Sequence, residues 1–160
     1  MATKLATIMF TLGLTIFSAT AAAQIENPFI GTWDIDLAES NFGSAAPPVN
    51  MSRTYADLGD GSFMYLVVTI NDDGSLSGNS ASYSYSGEQY PIASLDQLAA
   101  AQISYRRIND RTVEYTVRID SEVSQIGAKS ISPNGQLLTI AIQFPDSTQE
   151  NQILRFNRRR

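Results

Sequence analysis

From residue 30 onward, apolar and polar side chains alternate with a period of two, and turn-forming residues interrupt the alternation about every ten positions. Helical spacing is almost absent, so the pattern predicts β-strands with one buried face. Trp33, Ile35 and Leu37 alternate with Thr32, Asp34 and Asp36 in a first strand, and Met51, Arg53 and Tyr55 share one face of a second. Between them, residues 39–50 carry Gly43, Pro47 and Pro48 and read as an irregular crossing. Residues 63–70 are apolar on both faces, Asn71-Asp72-Asp73-Gly74 turns the chain, and residues 76–85 return with Ala81, Tyr83 and Tyr85 opposite a row of serines: a hairpin. A short strand near Tyr90 stops at Pro91, and residues 95–100 are the single stretch that reads as a helical turn. Strands then resume at 103–108, 112–119, 123–131, 136–144 and 152–157.

About ten short strands joined by tight turns predict an all-β, antiparallel up-and-down meander, closed into a barrel or folded into a sandwich. Closure is the better solution, because neither end strand carries the proline or lysine that guards an open edge. No repeat or linker divides residues 24–160, which read as one domain. Ahead of it, Lys4, a mostly apolar run over residues 5–17 and small side chains over 18–23 read as a secretory signal peptide, residues 1–23, with cleavage after Ala23. The run is shorter than the roughly 18 apolar residues of a membrane span, so an exported, periplasmic or secreted protein without an integral membrane segment is expected.

Composition narrows the chemistry. Cysteine and histidine are absent, which excludes disulfides, thiol nucleophiles, His-dependent triads and zinc sites built on Cys or His. The formal charge of −5, or −6 once Lys4 leaves with the leader, gives no electrostatic basis for nucleic-acid binding. The basic run Arg158-Arg159-Arg160 reads as a solvated tail. Asp72-Asp73 lies in a turn, and Ser80 stands where a calcium loop needs glutamate; no metal or cofactor is expected. Asp34 and Asp36 occupy the polar face of the first strand, and Glu114 and Arg118 the polar face of theirs.

Gly31-Thr32-Trp33 opens the first strand, where glycine permits close backbone approach and tryptophan can plug a barrel end. The ordered segments GTWDIDLAESNF, RTYADLGDGSF, SYSGEQYPI, ISYRRINDRTVEYT and SISPNGQLLTI resemble the small exported lipocalin-like, calycin-type β-barrels of bacteria over roughly residues 31–157. The resemblance implies a lipocalin-like barrel with an internal cavity for an apolar or amphipathic small molecule. It also implies that an arginine from the last part of the barrel covers Trp33. Arg155 or Arg158 can serve, and Arg155 is grouped with Gly31 and Trp33 as the structural motif. The threonine-aspartate-tyrosine turn and long C-terminal helix of the well-studied secreted lipocalins are missing from the sequence.

Six tyrosines, Tyr55, Tyr65, Tyr83, Tyr85, Tyr105 and Tyr115, fall on strands, and Tyr83, Tyr85, Tyr105 and Tyr115 lie on the more apolar sides. Turned inward they line a cavity with flat apolar surface and hydroxyls; turned outward they are ordinary strand residues. Arg53 shares a face with Tyr55, and Arg107 with Tyr105. Inside, each needs an anion, from a ligand or from an acid such as Glu88 or Asp96; at a rim, the favoured position for both, each reaches water. The candidate ligand-binding set is therefore Arg53, Tyr55, Tyr83, Tyr85, Tyr105, Arg107 and Tyr115, with no catalytic residue assigned. The expected activity is non-catalytic binding of a small hydrophobic or amphipathic molecule by a monomer or homodimer. The alternatives are a cyclase, isomerase or hydratase using an inward Asp, Glu or Tyr, and an interaction module docking through residues 63–70. A void of at least roughly 300 Å³ separates a ligand pocket from a packed interior.

Overall fold

A computed structural model describes residues 27–95 and 100–160. The expected leader, its cleavage site and most of the expected helical turn lie outside them. Eleven strands form one antiparallel sheet: β1 (Gly31–Ile35), β2 (Asn50–Gly59), β3 (Ser62–Ile70), β4 (Leu76–Tyr83), β5 (Tyr90–Pro91), β6 (Ala93–Ser94), β7 (Ala101–Asn109), β8 (Thr112–Ile119), β9 (Glu122–Ile131), β10 (Leu137–Gln143) and β11 (Gln152–Arg158). The order is β5-β7-β8-β9-β10-β11-β1-β2-β3-β4-β6, so each long strand pairs with its sequence neighbour except where β11 returns to β1 and where β4 faces β7. No helix occurs among the described residues, and so none is long and apolar enough to cross a membrane.

The period-two pattern closes this sheet into a nearly complete barrel. Tyr55, Tyr65 with Val67, Tyr83, Ile103 with Tyr105, Val113 with Tyr115, and Leu138 with Ile140 are all buried, each set at one parity of its strand. On β3 the opposite parity is apolar too, and Leu66 and Val68 face outward.

The first and last long strands pair directly, β1 with β11 (Trp33↔Arg158, Asp34↔Asn157, Ile35↔Phe156), and the seam lies elsewhere. The segment after β4 lies between β4 and β7: β6 pairs with β4 (Asn79↔Ser94, Ser80↔Ala93) and β5 with β7 (Tyr90↔Ile103, Pro91↔Gln102). The single expected strand at Tyr90 is thus two, each using a different edge. Across the gap Tyr83 stacks on Tyr105, ring centroids 4.2 Å apart, so side-chain packing joins what the main chain leaves open.

Trp33 is fully buried and donates from Nε1 to the Phe29 carbonyl at 2.9 Å. The arginine that covers it is Arg158, its guanidinium 4.1 Å from the ring centre, and not Arg155. Parity decides this: Gln152, Leu154 and Phe156 point inward, and Arg158 continues that face opposite Trp33, whereas Arg155 points out toward Glu39 at 3.8 Å. Arg158 donates to the carbonyls of Gly135, Ile30 and Pro28 at 2.7, 2.8 and 2.6 Å. Gly31, at φ +128°, is glycine because a Cβ there would sit 2.8 Å from an Arg158 Nη. The basic run is therefore not a solvated tail: Arg158 is a clamp, and Arg159 pairs with Asp34.

Arg158→Ala leaves three carbonyls without their charged donor and is expected to cost about 2–4 kcal/mol and to shift Trp33 emission. Arg155→Ala loses only an exposed ion pair, worth less than about 1 kcal/mol. Urea unfolding followed by tryptophan fluorescence compares the two; equal losses would contradict the assignment.

Candidate functional site

The barrel interior is built on phenols. Tyr105, 1% exposed, lies with its ring centre 6.4 Å from Tyr65, 4.2 Å from Tyr83 and 5.9 Å from Tyr115. Tyr115 fits because its partner across the ladder is Gly127: a Cβ there would fall 2.4 Å from the Tyr115 ring. Burial pushes the phenols of Tyr55, Tyr65, Tyr83, Tyr105 and Tyr115 up, Tyr115 to about 12 despite the opposing pull of Arg53. All five stay protonated at neutral pH and can donate hydrogen bonds.

Among these rings lies Lys129 of β9, 2% exposed. Its Nζ donates to the Tyr105 hydroxyl at 2.5 Å and sits 5.0, 5.3, 4.5 and 5.0 Å from the ring centres of Tyr55, Tyr65, Tyr105 and Tyr115. Burial, and then repulsion from Arg53, hold the amine well below the usual lysine range.

Arg53 is an interior residue, not a rim residue. It stands on β2 opposite Trp33 and Val67, its guanidinium 5.4 Å from the Phe156 ring centre. Its Nε and the Tyr55 hydroxyl are buried with no hydrogen-bond partner among the described residues. Glu88 does not supply the anion: it lies in an exposed turn and accepts from Tyr90 at 3.2 Å. Asp96 is outside the described residues.

Beside this cluster lies a cavity of about 370 Å³, above the lower limit for a ligand pocket. Arg53, Tyr65, Tyr105, Tyr115, Lys129 and Gln152 are among its polar lining, Ile103, Val117, Ile142 and Leu154 give much of its apolar wall, and none of its described lining residues is a carboxylate. Arg53, Tyr105 and Tyr115 of the expected set therefore meet at one cavity. Tyr55 and Tyr83 are buried in the ring cluster without lining it. Tyr85 and Arg107 stand elsewhere, beside Phe63 and Asp57 at a rim, where the guanidinium lies 4.4 Å over the Tyr85 ring and Asn27 donates to the Tyr85 hydroxyl at 3.2 Å. Arg107 is at the rim because it is near the end of β7, where the ladder to β8 slips out of register.

Sequence reasoning missed Lys129 and Gln152 and left Tyr65 out of the candidate set. The signal for Lys129 is parity with Ile131 and Gly127. Ile126 and Ala128 make the other face equally apolar, so the alternation does not choose, and lysine defaults to solvent.

No family model matches the sequence, and no curated protein matches it. Among solved structures, the extracellular fatty acid binding protein As-p18 superposes with a TM-score of 0.61 at 8% identity, covering 84% of this chain and 99% of that one. A variant of the fluorescent protein UnaG gives 0.58 at 13% identity, covering 83% and 97%. The tryptamine complex of the amine binding protein of Rhodnius prolixus gives 0.51 at 11% identity, covering 84% of this chain and 65% of that one. At these identities the likeness is one of fold: an antiparallel, nearly closed barrel of the calycin type.

Proposed function

We propose that this protein binds a small amphipathic molecule inside the barrel without transforming it, holding an anionic or oxygen-bearing head at Arg53 and an apolar body along the cavity wall. The observation that carries the reading is an interior cavity of about 370 Å³ that holds Arg53 and Lys129 and no described carboxylate. A buried guanidinium without a counter-ion is costly, and a ligand carboxylate offers it charge-assisted hydrogen bonds. Apolar burial adds about 25 cal/mol per Å². Two of the similar barrels carry ligand-binding names, for fatty acids and for amines, which supports a carrier role. An acid-base enzyme working through Asp or Glu draws no such support among the described lining, which leaves that alternative to the tyrosines Tyr65, Tyr105 and Tyr115. The leader-like residues 1–23 favour an exported, periplasmic or secreted carrier.

Laurate and dodecanol, compared by isothermal titration calorimetry, test the head-group role. Arg53→Met is expected to weaken laurate about tenfold to a hundredfold, the loss of one charge-assisted hydrogen bond, and to leave dodecanol within about threefold. Absence of binding or thermal shift across fatty acids, retinoids and aromatic metabolites would overturn the reading.

The depressed Lys129 amine also fixes a pH dependence. A group whose folded pKa is lowered binds fewer protons folded than unfolded, so stability rises with pH from the lowered value toward the ordinary lysine value of about 10.4. The groups facing it are Arg53 and the phenols of Tyr55, Tyr65, Tyr105 and Tyr115, all of which keep their protons over that span. Denaturant midpoints of the wild type are therefore expected to climb between neutrality and about pH 9, below the range where tyrosines of the unfolded chain lose their protons and reverse the trend, and those of Lys129→Met to stay flatter. Parallel curves would show that Lys129 is not the titrating group.

A further inference from the structure

We propose that Lys129 captures carbonyl-bearing ligands covalently, its Nζ forming an imine with an aldehyde whose chain lies in the cavity beside Tyr65, Tyr105 and Tyr115. The proposal rests on the internal binding site proposed above and names a ligand class for it.

Three observations converge on this amine. The sequence contains two lysines, Lys4 and Lys129, against nine arginines. The one described lysine is thus buried inside the barrel, while Arg106, Arg111 and Arg159 sit in exposed positions. Lys129 lines the cavity, so a ligand bound there meets its Nζ without passing through protein. Finally, no carboxylate lines the described cavity, and the only other cation there is Arg53. Nothing negatively charged in that described lining balances an ammonium; Nζ has only the Tyr105 hydroxyl and the neutral phenol rings beside it. Burial and Arg53 both favour the free amine, which is the nucleophilic form.

The chemistry closes without a further reactant. The Nζ lone pair adds to the carbonyl carbon, the carbonyl π pair moves to oxygen, and one amine proton passes to that oxygen to give a carbinolamine. Tyr105, hydrogen-bonded to Nζ, is placed to relay this proton. The carbon–oxygen bond then breaks, the oxygen leaves as water with the second amine proton, and the carbon–nitrogen double bond forms. Aldehyde and amine give imine and water, with no change in oxidation state. The lining that disfavours an ammonium disfavours an iminium equally, so the adduct stays a neutral imine.

Dodecanal is incubated with the full chain at neutral pH, borohydride is added, and the modified peptides are mapped by mass spectrometry. Reduction fixes the adduct as a secondary amine, heavier than the free lysine by the mass of the aldehyde less one oxygen atom. The expected result is at least tenfold more adduct on the Lys129 peptide than on Lys4 or the α-amine, suppressed by excess dodecanol and missing from Lys129→Arg. Lys129→Met serves as a second variant should arginine not fit, and the wild-type peptide map decides the matter without either. Calorimetric binding of dodecanol with no borohydride-dependent adduct at Lys129, or with adduct spread evenly over all amines, overturns imine capture and leaves the carrier function standing. If dodecanol and dodecanal both fail to bind, the carrier function and the imine fall together.

Discussion

The packing of this barrel turns on Tyr105. Its ring joins β7 to β4 where main-chain pairing is lent by two short strands, and its hydroxyl accepts the hydrogen bond donated by the buried Lys129 amine. An amine in an apolar core is costly unless it is partnered, and a seam held by two short ladders needs apolar contact to stay shut. One phenol meets both requirements, because its ring packs and its oxygen accepts. The same side chain thereby ties the mechanical closure of the barrel to the electrostatics of its cavity.

The two interior cations divide the work by their chemistry. A guanidinium keeps its charge in any protein environment and presents a planar fork to an oxygen anion, whereas an ammonium sheds its proton when water and counter-ions are withdrawn. Arg53 enforces that difference, since its charge raises the cost of a second one beside it. The phenols above and around them screen both without supplying negative charge, because burial holds their protons in place. The result is an apolar interior that is electrically one-sided, a property that none of the surface composition reveals.

Much of this was legible in the residues. Alternation put Tyr83, Tyr105 and Tyr115 on the more apolar sides of their strands without deciding which side faces in, and the turn residues placed the long strands, because a one-residue slip would bury polar groups. Legibility failed where alternation was degenerate. On β9, Ile126 and Ala128 mirrored Gly127 and Lys129, so the buried lysine was hidden in plain sequence. On β11 the parity of Leu154 and Phe156 does select Arg158 over Arg155, a distinction that spacing from Trp33 alone does not make. Arg53 was assigned to a rim because buried arginine is rare, and only the cross-strand register with Trp33 brings it indoors. The division between β5 and β6 was not readable at all, since which edge a two-residue strand joins is a tertiary choice.

The pairing of β1 with β11 sets an order on biosynthesis. Residues 31–35 find one of their two neighbours only in residues 156–158, and Arg158 reaches back to carbonyls at positions 28 and 30. While the ribosome still holds the last strand, the first has a free edge and Trp33 has no cover. The barrel therefore cannot complete until its last strand is free of the ribosome, a delay written into strand order.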